Sequence, residues 1–561
     1  MLPMMSFMGA AYRLPFTAAT TGRYLDRRLN RVLIPPEGIS SMRVRTALAG
    51  LLLATAAPVV AQLADPFTAV SDPADRAVMA EAAAAITGPT PDLAALDAVL
   101  VKLPRPTALR GVVQTVRAAL LSSKERTAEA VAAVEEAMRL LPDDPRPKLV
   151  ATELFTFSGS PQRAADLWVQ ASRESPEYAR MTDPYLLSAL VGRLVEGGDR
   201  SRADRLTARM GEIGYSAASA PDRSSSALAR ARTQVEAGQT DLAVQSVTAI
   251  GDPNDLLLLY LDKRYRLLWP RIAEWAGPDL DDQSRRYLEE LRGAWIATDD
   301  FETAAPYARR LASLGAYQTV VTLFLPMLDR LSPERSIVGA EFIAPVVARA
   351  LVRVGREPEA RALLTKVATA MPKNDTGNDL NITGAMMLLD STAARWPETI
   401  VQADLFLRRA QQLKSTINAS ATLQVRAMRA CALSKLGRAS EAQEDVAAVL
   451  LGEALLPGPA MQLHLCRGDV SAARALLIRR LADDATRGWA LAFVQPSERD
   501  PFSAYERMTQ PVAEQVRAAS DVRSAASTVG RFLPHPVLTD LPKGFDPFRA
   551  PRPSGVHGPT T

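Results

Sequence analysis

Small and bulky apolar positions recur at helical spacing along most of the chain, and their order repeats. Ala130, Val134 and Ala137, followed by Pro142, return 34 positions later as Ala164, Trp168, Ala171 and Pro176, and again as Ala360, Leu364, Val367 and Pro372. Residues three and four apart share one helix face. On that face small residues let a second helix approach, the bulky residue fills the space between the two, and proline stops the helix before the next begins. Gly159, Gly198-Asp199, Gly238, Asp299-Asp300, Gly355, Gly437 and Gly468-Asp469 punctuate the pattern. Several of their intervals lie at roughly 40 residues, a period that predicts stacked helical hairpins. The helical pattern runs from about Pro73 to Phe532 and needs no strand.

The small, bulky, small and proline order resembles the second half of a tetratricopeptide repeat. First-helix halves follow it with Ala348 and Leu351, and with Ala430 and Leu433, while Lys148 and Ala344 stand where that family often carries tryptophan. Recognisable units span 111–215, 341–372 and 419–485, and 253–340 keeps the helical period without the proline rhythm. Through Cys466-Arg-Gly-Asp-Val470 and Val529-Gly-Arg-Phe532 the C-terminal half is also similar to exported bacterial tetratricopeptide-like (TPR-like) proteins, mostly named only for their repeats. The resemblance implies an all-α fold, a right-handed TPR-like α-solenoid over 65–483, with residues from Tyr260 to Trp269 as a compressed hairpin packing its aromatics between units. Residues 484–532 lack the repeat and are expected as a C-terminal helical cap. Residues 533–561 hold seven prolines in 29 positions, which excludes a helix and predicts an extended or disordered tail with His535 exposed.

The N-terminus changes the picture of where such an array resides. From Met42, Arg43 and Arg45 precede an apolar run, Thr46 to Val60, and the small residues Val59-Val60-Ala61, which is the layout of a secretory signal peptide over 42–61. The run is too short for a bilayer span, which takes about 20 residues, and no cysteine follows it to carry a lipid. Residues 1–41 show no periodicity and read as a non-native or disordered extension. Glu37-Gly38 require a purine-rich codon stretch shortly before Met42, like a bacterial ribosome-binding sequence, so translation is expected to start at Met42. A mature chain beginning near Gln62 in the periplasm, with no integral membrane span, follows. In that oxidising compartment Cys431 and Cys466, 35 residues apart, are either two buried thiols or a disulfide.

Charge and chemistry narrow the function classes. Residues 1–62 carry seven arginines against Asp26 and Glu37, so of the chain's 66 basic and 62 acidic residues the remainder holds 59 and 60. That balance offers no cationic face for nucleic acid. No phosphate-cradling loop, dinucleotide fingerprint or nucleophile elbow occurs, and Ser158-Gly159-Ser160 reads as a hairpin turn. Three histidines, His464, His535 and His557, with two cysteines supply no zinc-site spacing. Glu135-Glu136, Asp143-Asp144, Glu289-Glu290 and Asp483-Asp484 are adjacent on helices and do not converge. No catalytic residue, cofactor or metal is therefore expected. The sequence predicts a non-enzymatic periplasmic scaffold or adaptor that holds a protein or peptide partner of the cell envelope in a concave solenoid groove. Arg349 and Arg353, one turn apart on a first helix, are the candidate contacts for an acidic or C-terminal carboxylate group. The alternatives are a solenoid-containing cell-wall enzyme of the lytic transglycosylase kind, or a solenoid subunit of an envelope export or assembly complex.

Overall fold

The repeat positions fold as their spacing requires: Ala130, Val134, Ala137, Ala164, Trp168, Ala171, Ala360, Leu364 and Val367 are all completely buried. The computed structural model describes residues 67, 70, 72–87, 92–123, 126–215, 219–331, 339–371, 377–413, 419–496 and 501–549. The extension 1–41, the signal segment 42–61, the expected N-terminal Gln62, Pro372 and the end of the tail with His557 lie outside them. The described residues form an all-α fold without strands, in two compact units that divide between 218 and 219.

In the N-terminal unit, α1 (Pro73–Thr87), α2 (Leu93–Lys102), α3 (Ala108–Ser123), α4 (Thr127–Leu140), α5 (Pro145–Phe157), α6 (Pro161–Glu174), α7 (Pro176–Arg180), α8 (Pro184–Glu196) and α9 (Arg200–Glu212) follow one another. Antiparallel pairs form from α3 with α4, α5 with α6 and α8 with α9, and first helices also touch the next first helix, α3 on α5 and α5 on α8. Trp168 of α6 is the bulky residue between two alanines. Its indole Nε1 donates to Thr182 Oγ1 at 3.0 Å and its ring meets Tyr215 edge-on at 6.4 Å. Lys148, in the place of a tryptophan, is buried for a different reason. Its stem lies in the core while Nζ donates to Glu174 at 2.7 Å and to the Pro142 carbonyl, tying α5 to the ends of α4 and α6.

The C-terminal unit comprises α10 (Ala220–Glu236), α11 (Thr240–Val247), α12 (Pro253–Leu261), α13 (Trp269–Ala276), α14 (Asp281–Thr298), α15 (Phe301–Ser313), α16 (Tyr317–Asp329) and α17 (Ala340–Arg353). After these come α18 (Glu357–Ala370), α19 (Asp379–Thr392), α20 (Trp396–Leu413), α21 (Ala419–Lys435), α22 (Gln443–Leu451), α23 (Pro457–Arg467), α24 (Val470–Ala482), α25 (Arg487–Phe493), α26 (Ala504–Ala518) and α27 (Ser520–Val529). A 3₁₀ turn, Lys263–Leu268, joins α12 to α13. The Gly468-Asp469 pair shows what the punctuation does: Gly468, at φ +73°, ends α23 in the left-handed region, and Asp469 starts α24 by accepting the Ala472 N–H at 3.0 Å. Buried aspartates tie the hairpins together. Asp390 accepts from Arg361 and from Arg395, and Asp445 accepts from Arg426 at 2.8 Å and Arg429 at 2.7 Å.

Cys431 of α21 and Cys466 of α23 form a disulfide with their Cα atoms 5.9 Å apart. The two helices are first helices of consecutive hairpins and pack directly. That contact settles the choice between thiols and a disulfide left open by the sequence.

The last segments return to the beginning of this unit. Helix α25 packs on α12, and an antiparallel bridge joins Gly530 to Asp262, with the Arg531 N–H donating to Leu261 O at 3.0 Å. Residues 531–549 form no helix, running as irregular chain with bends and turns, and His535 is exposed. The expectation of a disordered tail is nevertheless corrected for 533–549, because Leu533, Leu538 and Phe545 are buried. Buried Arg292 of α14 donates to Asp546 O at 2.6 Å and lies over the Phe545 ring, and Tyr307 of α15 donates to Pro547 O at 3.4 Å. Proline forbids a helix there without forbidding an extended chain from docking.

Candidate functional site

Two places bring polar chemistry onto first helices. The first is the predicted arginine pair. Arg353 closes α17, but the carboxylate it meets comes from its own chain: Nη2 contacts Glu506 Oε1, and the guanidinium lies over the Tyr317 and Phe502 rings at 5.4 and 5.1 Å. Arg349, one turn earlier, is half-buried. Glu506 is buried and fully used. Its Oε2 accepts the Phe502 and Ser503 N–H groups at 2.7 and 3.3 Å, while Ser503 Oγ accepts the Glu506 N–H at 3.1 Å, so a capping box and an ion pair share one carboxylate.

Glu506 belongs to α26, an amphipathic helix that packs on first helices α19 and α23, reaches α17 through Arg353, and also touches α24. It thus lies across first helices of successive hairpins. Tyr505 is its anchor, buried in one apolar cluster with Met387, Phe406, Met428, Cys431 and Cys466, and edge-on to Trp396 at 6.5 Å. Burial pushes the Tyr505 phenol above its ordinary value. The face expected to receive a partner is occupied here by the chain's own helix.

The second place is Glu153 in the N-terminal unit. Helix α5 is buried along almost its whole length, yet Glu153 carries a half-buried carboxylate with no hydrogen bond or ion pair among the described residues. Burial first, and then the Asp183 carboxylate, push it up to about 7. The sequence reading missed it, although it is the one acidic residue in Pro145–Phe157 and stands among apolar neighbours. Such a group holds its proton more tightly folded than unfolded, so its stabilising contribution is present below its ordinary 4.5 and is lost as pH rises through about 7. Glu153→Gln is expected to leave stability unchanged at pH 4 and to raise it at pH 8 by about 3 kcal/mol. Amide exchange of α5 in the full chain at both pH values checks this, and an equal effect at the two would rule out ionisation as the cause.

The remaining candidates disperse. Glu135 pairs with Arg163 and Glu136 with Arg110, each at 2.6 Å, so adjacent carboxylates face different partners. Glu289 pairs with Arg292, and Glu290 with Arg223. His464 is buried and held below its ordinary value by that burial, while Cys466 is spent in the disulfide. Among the described residues no three His, Cys, Asp or Glu side chains come together to hold a metal ion, and no helix is long and apolar enough to cross a membrane. Ser158-Gly159-Ser160 is the turn between α5 and α6. The chain matches no protein-family model and no curated protein.

Proposed function

We propose that this protein is a non-enzymatic scaffold of TPR-like helical hairpins, exported to the periplasm, that holds a helical segment of an envelope protein on its first helices. The observation that carries the reading is the seating of α26. One aromatic anchor and one carboxylate on an arginine hold a helix across several hairpins, which is how amphipathic helices are bound in grooves generally. The Cys431–Cys466 disulfide supports an oxidising compartment, since such bonds are rare where thiols are kept reduced. Each stacked hairpin extends the face of the one before, so an array supplies length of contact rather than a deep pocket.

Fractionation of native cells with intact-mass and N-terminal analysis tests the compartment. A periplasmic chain beginning at Gln62 is the expected result, and a cytoplasmic chain beginning at Met1 would overturn export. The scaffold role predicts stoichiometric co-purification with an envelope protein after cross-linking. Release of soluble fragments from purified cell wall by the purified chain would instead establish the enzymatic alternative.

A further inference from the structure

We propose that Cys431 and Cys466 are joined by thiol–disulfide exchange with a disulfide-bearing oxidant before α26 docks, and that α26 then seals the bond against oxidants and reductants alike. The inference needs only the disulfide and the packing around it, and it stands apart from the scaffold reading above.

Exchange proceeds through a mixed disulfide, so a foreign sulfur must reach one of the two cysteine sulfurs, and access governs its rate. Cys431 and Cys466 are 0% and 1% exposed, which leaves no approach in the finished unit. The apolar cluster that holds them draws on α19, α20, α21, α23 and α26. The first two of these helices precede both cysteines, and α21 and α23 carry them. Among the described residues of the cluster, those of α26 are the only ones that follow both cysteines in the chain: buried Tyr505, with Met508 packed against it. Helix α26 also packs directly on α23, the helix of Cys466.

The sulfurs do not need α26 in order to meet. Helices α21 and α23 pack on each other, with Gln462 Nε2 donating to Met428 Sδ at 2.6 Å, so their own contact sets the register of the two cysteines. A growing chain folds from its N-terminal end as it emerges, and both cysteines are then present with α26 still to come. In that interval one cysteine thiolate attacks the oxidant's disulfide, forming a mixed disulfide and releasing the first oxidant thiol. The second cysteine thiolate attacks the bonded cysteine sulfur and releases the other. Two electrons pass from the chain's two thiols to the oxidant's disulfide, and their two protons pass to the two thiols that leave. The mixed disulfide holds the oxidant where Tyr505 and Met508 later close the cluster, so oxidation and docking exclude one another.

The test uses the full chain, reduced and unfolded in urea, then diluted to refold. Glutathione disulfide is present from the start or is added once α26 has gained amide-exchange protection, and remaining thiols are alkylated and counted by mass. Late oxidation is expected to run roughly 100-fold slower than prompt oxidation, because it waits on local opening. Tyr505→Ala/Met508→Ala is expected to bring the late rate close to the prompt one. Dithiothreitol should likewise reduce the folded wild type roughly 100-fold more slowly than the urea-unfolded chain. Late oxidation at the prompt rate with α26 protected overturns the proposal, as does a folded double variant oxidised no faster than wild type. A reduced chain whose α26 gains no protection until the oxidant arrives sustains it, since docking then waits on the bond. Should the double variant fail to fold, the late rate of wild type is followed through sub-denaturing urea. Its urea dependence is expected to match that of α26 amide exchange, and a match to global unfolding instead would overturn α26 as the seal.

Discussion

Replacing Cys431 and Cys466 together by alanine is expected to lower the stability of the C-terminal unit by about 4 kcal/mol, the unfolded-chain entropy restored when a closed loop of this size is opened. The loop spans 35 residues and contains all of α22, so its release frees one whole second helix together with the register between α21 and α23. The bond also lies in the cluster that seats Tyr505, and its removal should loosen α26 along with the two helices it joins. Urea unfolding followed by amide exchange separates these effects, since a chain of two units does not unfold as one step. Protection should fall in α21, α23 and α26 and stay unchanged in α3 to α6. Alkylation of both cysteines in denatured, unreduced protein from its native compartment would show instead that the bond is not made there. That result would remove the disulfide as support for export.

What was legible in the sequence was local. Ala164, Trp168 and Ala171 announce their helix and its buried face because period and side-chain volume act within a single turn, and all three are fully buried. Arg353 could be placed on a first helix for the same reason. Its partner could not, because Glu506 lies 153 positions away and nothing in the spacing of either residue encodes the contact. The Ser503-to-Glu506 capping box was readable as a helix start, though not as half of an ion pair. Proline content denied the tail a helix, and the described part of it, 533–549, forms none. Docking of Phe545 against Arg292 depends on an acceptor and a ring meeting a buried cation of another helix, which composition does not express. Glu153 was visible as a lone acid in α5, and only the packing around it gives it a high proton affinity.

Glu506→Ala is expected to destabilise the C-terminal unit by about 3 to 5 kcal/mol, the usual cost of stranding one member of a buried pair. The estimate joins two losses that the geometry allows to be parted. One is the cap, because Oε2 accepts the Phe502 and Ser503 N–H groups, and lost caps cost about 1 kcal/mol. The larger is the charge on Arg353, whose side chain is only 14% exposed and loses the carboxylate it is paired with. Glu506→Gln should divide the two, since its amide oxygen can still accept at the cap while no anion faces the guanidinium. It is expected to recover about 1 kcal/mol of the alanine loss. In a double-mutant cycle, Arg353→Met should cost far less on the Glu506→Ala background than on wild type, giving a coupling of about 2 to 3 kcal/mol. Because the pair is buried, 0.5 M salt should leave that coupling nearly unchanged, whereas an exposed pair such as Arg356 with Glu359 would be screened. Additive costs in the cycle would mean that Arg353 and Glu506 act independently, and the arginine would then provide no recognition of a carboxylate.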